Sequence, residues 1–309
     1  MVSGLKSFLL LAVLVLSGYV KAQEIQIFKL SDFDLKNNVK SCLVSTDYGK
    51  EEYDFNRKGF LTKSVTRYSD TDYDLVHYRF TDSILTEKRS ESYRDNIFDP
   101  STSIAHFYTR DTTNNLTIQE RIFSYDKEFL DEFIYQYDES GDLISIQHVD
   151  NEGTDETLVE YKKYKGEETV THFLNGVPLK SVRTSYKIPK NKPEQQVVLT
   201  KEYLKGEENY AFEEVFDASG KLMAQQEFEF DAIQKKFVPT IRTSYTYNEQ
   251  GMLISETTKT AKTTTTKEYI YQFDKKENGN WIKQIITPDN TYKTRKIEYY
   301  KVSPSKSVE

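Results

Sequence analysis

The chain has 309 residues, with 49 acidic and 42 basic side chains interspersed along its length and a formal net charge of −7. A nucleic-acid partner is not expected, because binding nucleic acid requires a concentrated basic surface. The single cysteine, Cys42, excludes an internal disulfide, so we expect the sheet and core alone to hold the fold together.

Residues 1–22 have the pattern of a secretory leader. Lys6 precedes an apolar run from Phe8 to Leu16, and small and turn residues close the segment. The run is much shorter than the roughly 20 apolar residues of a membrane-spanning helix, so we predict no transmembrane segment. We predict an exported protein, periplasmic or secreted, whose mature part is residues 23–309.

A short phrase recurs five times after the leader: an aromatic residue, Asp or Asn, a few residues, glycine, one residue, and Leu or Trp. The Asp or Asn can hydrogen-bond the backbone two residues on, and the glycine accepts the positive φ of a tight turn, so each copy predicts a hairpin. The alternation of aromatic and polar residues beside the glycines is typical of strands with one solvent-exposed face. The copies are Phe55–Leu61, Tyr137–Leu143, Phe216–Leu222, Tyr247–Leu253 and Phe273–Trp281.

The 23 tyrosines and 18 phenylalanines occur in a chain with only 37% hydrophobic residues, which indicates cross-strand aromatic ladders in place of an aliphatic core. No mature segment keeps apolar residues at helical spacing for three turns. We therefore predict an all-β fold of antiparallel hairpin repeats. Because the phrase glycines lie 82, 79, 31 and 28 residues apart, we expect a curved, extended or partly wrapped sheet rather than a closed one.

The predicted repeat domain, residues 23–309, has one candidate interruption. Pro189 and Pro193 cannot donate to a strand ladder, so residues 188–196 are either a long loop or a domain boundary. At the other end of this domain, we expect residues 302–309 to form a disordered tail.

The most complete copy of the phrase, within Tyr135 to Leu143, resembles the YD repeat of RHS-type proteins. The segment Tyr245 to Leu253 has the same form with Asn248 in place of Asp, and the other copies are more degenerate. The last copy, which ends at Trp281, is similar to small exported proteins of Bacteroidetes-type bacteria that carry a few such repeats. The resemblance implies a β-repeat architecture and does not imply an activity.

Nucleotide-binding and nucleophile motifs that need closely spaced glycines are missing, because no two glycines are closer than ten residues. The four histidines occur singly, without the spacing of a zinc motif; they are His77, His106, His148 and His172. We accordingly assign no catalytic, cofactor-binding or metal-binding residue, and we expect no cofactor.

One acidic segment comes close to a metal-binding motif. Asp70, Asp72 and Asp74 have the alternate spacing that opens a calcium loop. Leu75 and Thr81 stand where such a loop needs Gly and Glu, which favours an ordinary acidic turn.

Two further patterns approach those of hydrolases. Ser101, Ser103 and His106 supply two members of a triad, but their segment has loop composition and no oriented acid is identified. Adjacent glutamates point to opposite faces of a strand, so they cannot act together on one glycosidic bond and are interpreted as solvated charges. The adjacent pairs are Glu167-Glu168, Glu207-Glu208 and Glu213-Glu214.

We predict a protein without enzymatic activity whose sheet binds or scaffolds a glycan or a protein of the cell envelope. Exposed tyrosines and Trp281 would supply stacking positions, although such rings more often form the core. The alternative is an envelope hydrolase in which histidines and carboxylates distant in sequence meet in a pocket. A third reading is an envelope protein that self-associates through open sheet edges.

Overall fold

The structure is a computed structural model that describes residues 25–190, 193–274 and 279–301. The predicted leader, residues 1–22, and the predicted tail, residues 302–309, lie outside the described residues. Within these ranges twenty antiparallel strands follow one another, and each pairs with the next.

The strands are β1 (Val39–Thr46), β2 (Gly49–Phe55), β3 (Leu61–Arg67), β4 (Tyr73–Thr81), β5 (Ile84–Arg94), β6 (Ile97–Asp111), β7 (Thr117–Ser124), β8 (Phe129–Tyr137), β9 (Leu143–Asp150), β10 (Thr154–Tyr164), β11 (Glu167–Leu174), β12 (Val177–Lys187), β13 (Gln195–Leu204), β14 (Glu207–Phe216), β15 (Leu222–Asp231), β16 (Lys236–Tyr247), β17 (Leu253–Lys259), β18 (Thr264–Phe273), β19 (Trp281–Thr287) and β20 (Thr291–Tyr299). A 3-10 helix, Leu30–Phe33, precedes β1. No helix in the described ranges has the length and apolar character that crossing a membrane requires.

The sheet closes on itself, because β1 pairs with β20 as well as with β2. Cys42 of β1 lies opposite Tyr53 on one side and Ile297 on the other. The all-β antiparallel class is confirmed, whereas the expected curved, extended or partly wrapped open sheet is wrong. Closure gives the first and last strands a partner on both sides, so the edge pairing that self-association would use is satisfied within the chain.

All five copies of the phrase lie at one end of the closed sheet, because each joins an even-numbered strand to the next odd-numbered one. We call this the phrase end and the opposite one the far end. In the second copy, Asp138 Oδ1 accepts hydrogen bonds from the backbone N–H groups of Ser140 and Asp142, at 2.8 and 2.9 Å. Asn56, Asp217 and Asn248 make the same pair of bonds. The turn chemistry predicted from the phrase is therefore confirmed in these four copies.

Other hairpins reverse by a different turn, which the sequence pattern did not include. Five two-residue turns have positive φ at both positions, the geometry of a type I′ hairpin. These turns are Asp82-Ser83, Asp95-Asn96, Lys165-Gly166, Asn175-Gly176 and Lys205-Gly206. The phrase glycines therefore mark only some of the hairpins, and their irregular spacing does not measure the extent of the sheet.

Alternate side chains of the strands face the interior, where the phrase residues form much of the core. Phe55, Tyr137, Phe216 and Trp281 are only 2–5% exposed. A cluster at the phrase end packs buried residues of β1 to β5 against the chain that precedes β1. Part of the aromatic surplus of the sequence is thus used inside the sheet.

The segment before β1 is fixed to the phrase end by backbone hydrogen bonds. Leu30 N donates to Gly59 O at 3.0 Å, and Leu61 N donates to Phe28 O at 2.9 Å. Phe28, Leu30 and Leu35 pack into the same buried cluster as Cys42. The N-terminal segment therefore covers part of the interior at this end.

The proline-containing stretch at residues 188–196 connects β12 to β13. These strands pair from Lys180 opposite Glu202 to Lys187 opposite Gln195. The sheet is therefore continuous on the two sides of this connection.

Candidate functional site

A cavity of about 390 Å³ lies at the phrase end, between the N-terminal segment and strands β5 to β8. Its walls are largely aliphatic, and the rings of Tyr108 and Tyr137 complete them. The aliphatic side chains are Ile25, Ile27, Ile84, Leu85, Leu116 and Ile118. Three polar residues also line it: Ser83, Thr109 and Arg110, of which Thr109 and Arg110 are exposed. The arrangement is an apolar chamber with hydrogen-bonding groups at its exposed side.

A polar cluster centred on Glu120 adjoins the cavity through Tyr108. The Tyr108 hydroxyl donates to Glu120 Oε1 at 2.9 Å, and His106 Nδ1 lies 2.7 Å from the same oxygen. The Tyr135 hydroxyl donates to Glu120 Oε2 at 3.1 Å. Both oxygens of this largely buried carboxylate are therefore engaged by protein groups.

The protonation states of the cluster follow from these contacts. Burial acts to raise the pKa of Glu120, but the hydrogen bonds from His106 and Tyr108 outweigh it and lower that pKa overall. Burial, together with the nearby Glu120 charge, raises the pKa of Tyr108 and of Tyr135. Glu120 is thus a carboxylate between neutral phenols at neutral pH, whereas a general acid or base is most effective with a pKa near the working pH.

The four histidines do not converge on one site. His106 and His148 each contact a carboxylate, with His148 Nε2 lying 2.7 Å from Asp131 Oδ1. His172 is paired in register with Lys180, and burial, followed by the Lys180 charge, lowers its pKa. His77 alternates with buried Tyr78 and therefore lies on the outer face.

The serines considered for a triad are not joined to a histidine. Ser101 Oγ donates to Asp99 Oδ1 at 2.6 Å, and Ser103 Oγ donates to the Asp99 carbonyl oxygen at 2.9 Å. His106 contacts Glu120 instead. These bonds organise a local turn.

The acidic segment near β4 also serves local structure. Asp72 Oδ1 accepts the backbone N–H of Asp95 at 2.8 Å. Asp74 accepts the Tyr68 hydroxyl at 2.8 Å and pairs with Arg94 at 3.0 Å. The carboxylates therefore hold neighbouring turns, as expected of an acidic turn.

Trp281 is not an exposed stacking position, so that expectation is wrong for this residue. Its side chain is only 5% exposed and lies beneath the guanidinium of Arg295. Its place in the phrase explains the burial, because the equivalent residues Leu61 and Leu143 are also core residues.

An aromatic row does occur on the outer face at the far end, formed by Tyr73, Tyr93, Phe98 and Tyr125. Successive ring centroids are 4.6, 5.6 and 4.9 Å apart. Tyr125, at one end, is 52% exposed, whereas Arg67 lies over the Tyr73 ring at the other end. The sequence did not single out this row, because its members come from three strands and a turn.

One glutamate interpreted as a solvated charge is buried. Glu214 is only 7% exposed, and burial raises its pKa, while a hydrogen bond from Gln225 and the charge of Lys180 act in the opposite direction. The available signal was strand alternation, since Glu214 lies two residues before the core residue Phe216. The solvated interpretation is therefore wrong for Glu214.

No protein-family model matches this chain, and comparison with curated proteins gives no match. Function is therefore inferred from the geometry of the cavity and of the aromatic row.

Proposed function

We propose that this protein is a non-enzymatic binding protein of the cell envelope, and that the cavity at the phrase end takes up a small amphiphilic ligand. The observation that carries the proposal is the cavity itself, about 390 Å³ in volume and walled by aliphatic and aromatic side chains. Ligand sites typically occupy about 300–1,000 Å³ and combine apolar walls with a few polar groups. The leader pattern of residues 1–22 supports export.

The apolar walls of the cavity suit the apolar body of a ligand, and its exposed polar side suits a polar head group. The walls formed by Ile25, Leu116 and Ile118 would surround an apolar body, and burial stabilises by about 25 cal/mol per Å² of apolar surface. Arg110 supplies a permanent positive charge at the exposed side, where an anionic head group would reach it. The ligand class is therefore an apolar molecule with a negatively charged group.

The state of Glu120 supports binding rather than catalysis. Both carboxylate oxygens accept hydrogen bonds from the protein, and the lowered pKa makes the group a weak base. The hydrolase alternative would need a carboxylate or histidine free to exchange a proton with substrate.

The proposal is tested with two fluorescent probes, anionic 1-anilinonaphthalene-8-sulfonate and its neutral analogue N-phenyl-1-naphthylamine. We expect one saturable site for each. Ile118→Phe fills the cavity and should weaken both probes about tenfold, since the apolar body loses its space. Arg110→Gln should weaken the anionic probe alone, because only that probe carries the sulfonate.

The matched control is Ile270→Phe, which makes the same change at a residue that is 55% exposed on β18. Thermal unfolding verifies that each variant is folded. If Ile118→Phe binds both probes as the unsubstituted protein does, the cavity is not the binding site.

The aromatic row favours a second candidate function, glycan binding by stacking. Tyr125 offers an exposed ring for stacking at the end of the row. The test is a screen of immobilised envelope glycans with Tyr125→Ala and a control, Tyr186→Ala, which removes a tyrosine of similar exposure at 53%. Retention that Tyr125→Ala does not reduce would contradict this candidate.

A further inference from the structure

A cluster of possible metal ligands lies near the far end, at the opposite end of the sheet from the cavity. It consists of Asp131 on β8 and of His148 and Asp150 on β9, and one ligand atom of each lies within 4.8 Å of the other two. We call these residues the far-end cluster. Asp131 and Asp150 are directly opposed in register, and His148 shares their face because it lies two residues before Asp150.

Neighbouring groups hold two of the three side chains in place. The Phe133 ring stacks on the His148 ring with centroids 4.4 Å apart and planes 10° from parallel. Asp150 Oδ1 accepts the backbone N–H groups of Glu152 and Gly153 at 2.7 and 2.9 Å. These bonds leave Asp150 Oδ2 available, and they fix the carboxylate beside the imidazole.

The charge around the imidazole is strongly negative. Asp155 on β10 is opposite His148 in register and adds a third carboxylate, whose Oδ1 accepts a hydrogen bond from Asn175. Within the described ranges, no lysine or arginine forms an ion pair with Asp131, Asp150 or Asp155. The local field therefore favours an added cation.

We propose that the far-end cluster binds a divalent transition-metal ion, with zinc as the best match. One imidazole nitrogen and two carboxylate oxygens are a zinc donor set, and bonds of about 2.0–2.2 Å place tetrahedral ligand atoms roughly 3.3–3.6 Å apart. Small side-chain rotations bring atoms within 4.8 Å to that separation. When the ion binds, it replaces the direct hydrogen bond between His148 and Asp131. Three protein ligands leave one position for water or for a donor atom of a bound molecule.

The sequence could not indicate this site, because its histidine and its two carboxylates have no motif spacing. The strand register brings them together: Asp131 is 19 residues from Asp150 but lies directly across the hairpin. The site does not depend on the ligand proposed for the cavity.

The experiment is a calorimetric titration of the protein with zinc chloride, using material purified without a polyhistidine tag and stripped with EDTA. We expect one ion per chain with a dissociation constant below about 10 µM. His148→Gln and Asp150→Asn should each weaken binding at least about tenfold, because each removes one of only three ligands. The matched control is His106→Gln, since His106 also contacts a carboxylate at 2.7 Å but belongs to no three-ligand group among the described residues.

The proposal is overturned if zinc binding does not saturate or if His148→Gln binds zinc with full affinity. It is also overturned if the His106→Gln control loses as much zinc affinity as His148→Gln does. Thermal unfolding in EDTA shows whether a variant has lost its fold instead of a ligand. Asp150→Asn keeps an Oδ1 acceptor for Glu152 and Gly153, so it decides the question if His148→Gln is unstable. Probe binding at the cavity is measured on His148→Gln and Asp150→Asn and should not change.

Discussion

The guanidinium carbon of Arg295 lies 3.4 Å from the ring centre of Trp281, so β20 and β19 are joined by a cation stacked on the single tryptophan. Arg295 Nη2 also donates to the carbonyl oxygen of Phe33 at 2.7 Å. The buried Nε and Nη1 atoms have no hydrogen-bond partner among the described residues. Burial lowers the pKa of Arg295, although the charge of Asp34 acts against this. The arginine therefore links the N-terminal segment to the strands at the cost of two unsatisfied donors.

We expect Arg295→Ala to lower the free energy of unfolding by about 3 kcal/mol, because it removes the stacking, the bond to Phe33 and much side-chain volume. Arg295→Met should cost less, since methionine refills the volume without burying unpaired N–H groups. Urea unfolding followed by Trp281 fluorescence measures both changes. Equal destabilisation by the two substitutions would show that charge, rather than packing, is the main contribution.

Glu214→Gln should raise the free energy of unfolding at pH 7 by about 1 kcal/mol, the scale for relieving a buried, incompletely paired polar group. The folded-state pKa of Glu214 is raised above 4.5, chiefly by burial. The folded state then binds the Glu214 proton more tightly than the unfolded state does. The stabilisation of the fold by protonated Glu214 is therefore full below pH 4.5 and is lost as the pH rises through the raised folded-state pKa. Glutamine removes that loss and can still pair with Gln225.

Glu213→Gln is the matched control for this prediction, because Glu213 is the adjacent residue and points to the opposite face of β14. Urea unfolding at pH 4 and pH 7 separates the two variants. A Glu214→Gln protein that keeps the original pH dependence would show that another group causes it.

The sequence predicted the local structure of this protein better than it predicted the closure of the sheet. The turn role of Asp138 and Asp217 is encoded within five residues, so the sequence was sufficient to predict it. The pairing of Cys42 with Ile297 spans almost the whole chain, and no local pattern indicates it. The cavity and the far-end cluster were missed for the same reason, because both are produced by strand register.

The thiol of Cys42 should be inert in the folded protein. It is buried, and this burial raises its pKa to about 11, with the charge of Arg295 acting in the opposite direction. Because the thiolate is the reactive form, we expect negligible alkylation by iodoacetamide at pH 8 and complete alkylation in denaturant. Mass spectrometry of timed samples measures this, and rapid labelling of the folded protein would contradict the buried position of β1.

The phrase turns provide a test of how the hairpins are stabilised. Gly220 has φ of +81°, and no heavy atom lies within 4 Å of a Cβ built there, so Gly220→Ala should cost only the backbone strain of about 1 kcal/mol. Asp217→Ala should cost about 1–2 kcal/mol, because the backbone N–H groups of Ser219 and Lys221 lose their acceptor.

Asp217→Asn is the control for the turn, because Asn248 makes the same two backbone bonds at the equivalent position of the next copy. It should therefore preserve the stability that Asp217→Ala loses. Urea unfolding of the three variants measures the differences at pH 7. If Asp217→Asn is as unstable as Asp217→Ala, the negative charge stabilises this turn rather than its hydrogen-bond geometry, and the equivalence of Asp and Asn in the phrase does not hold at this copy.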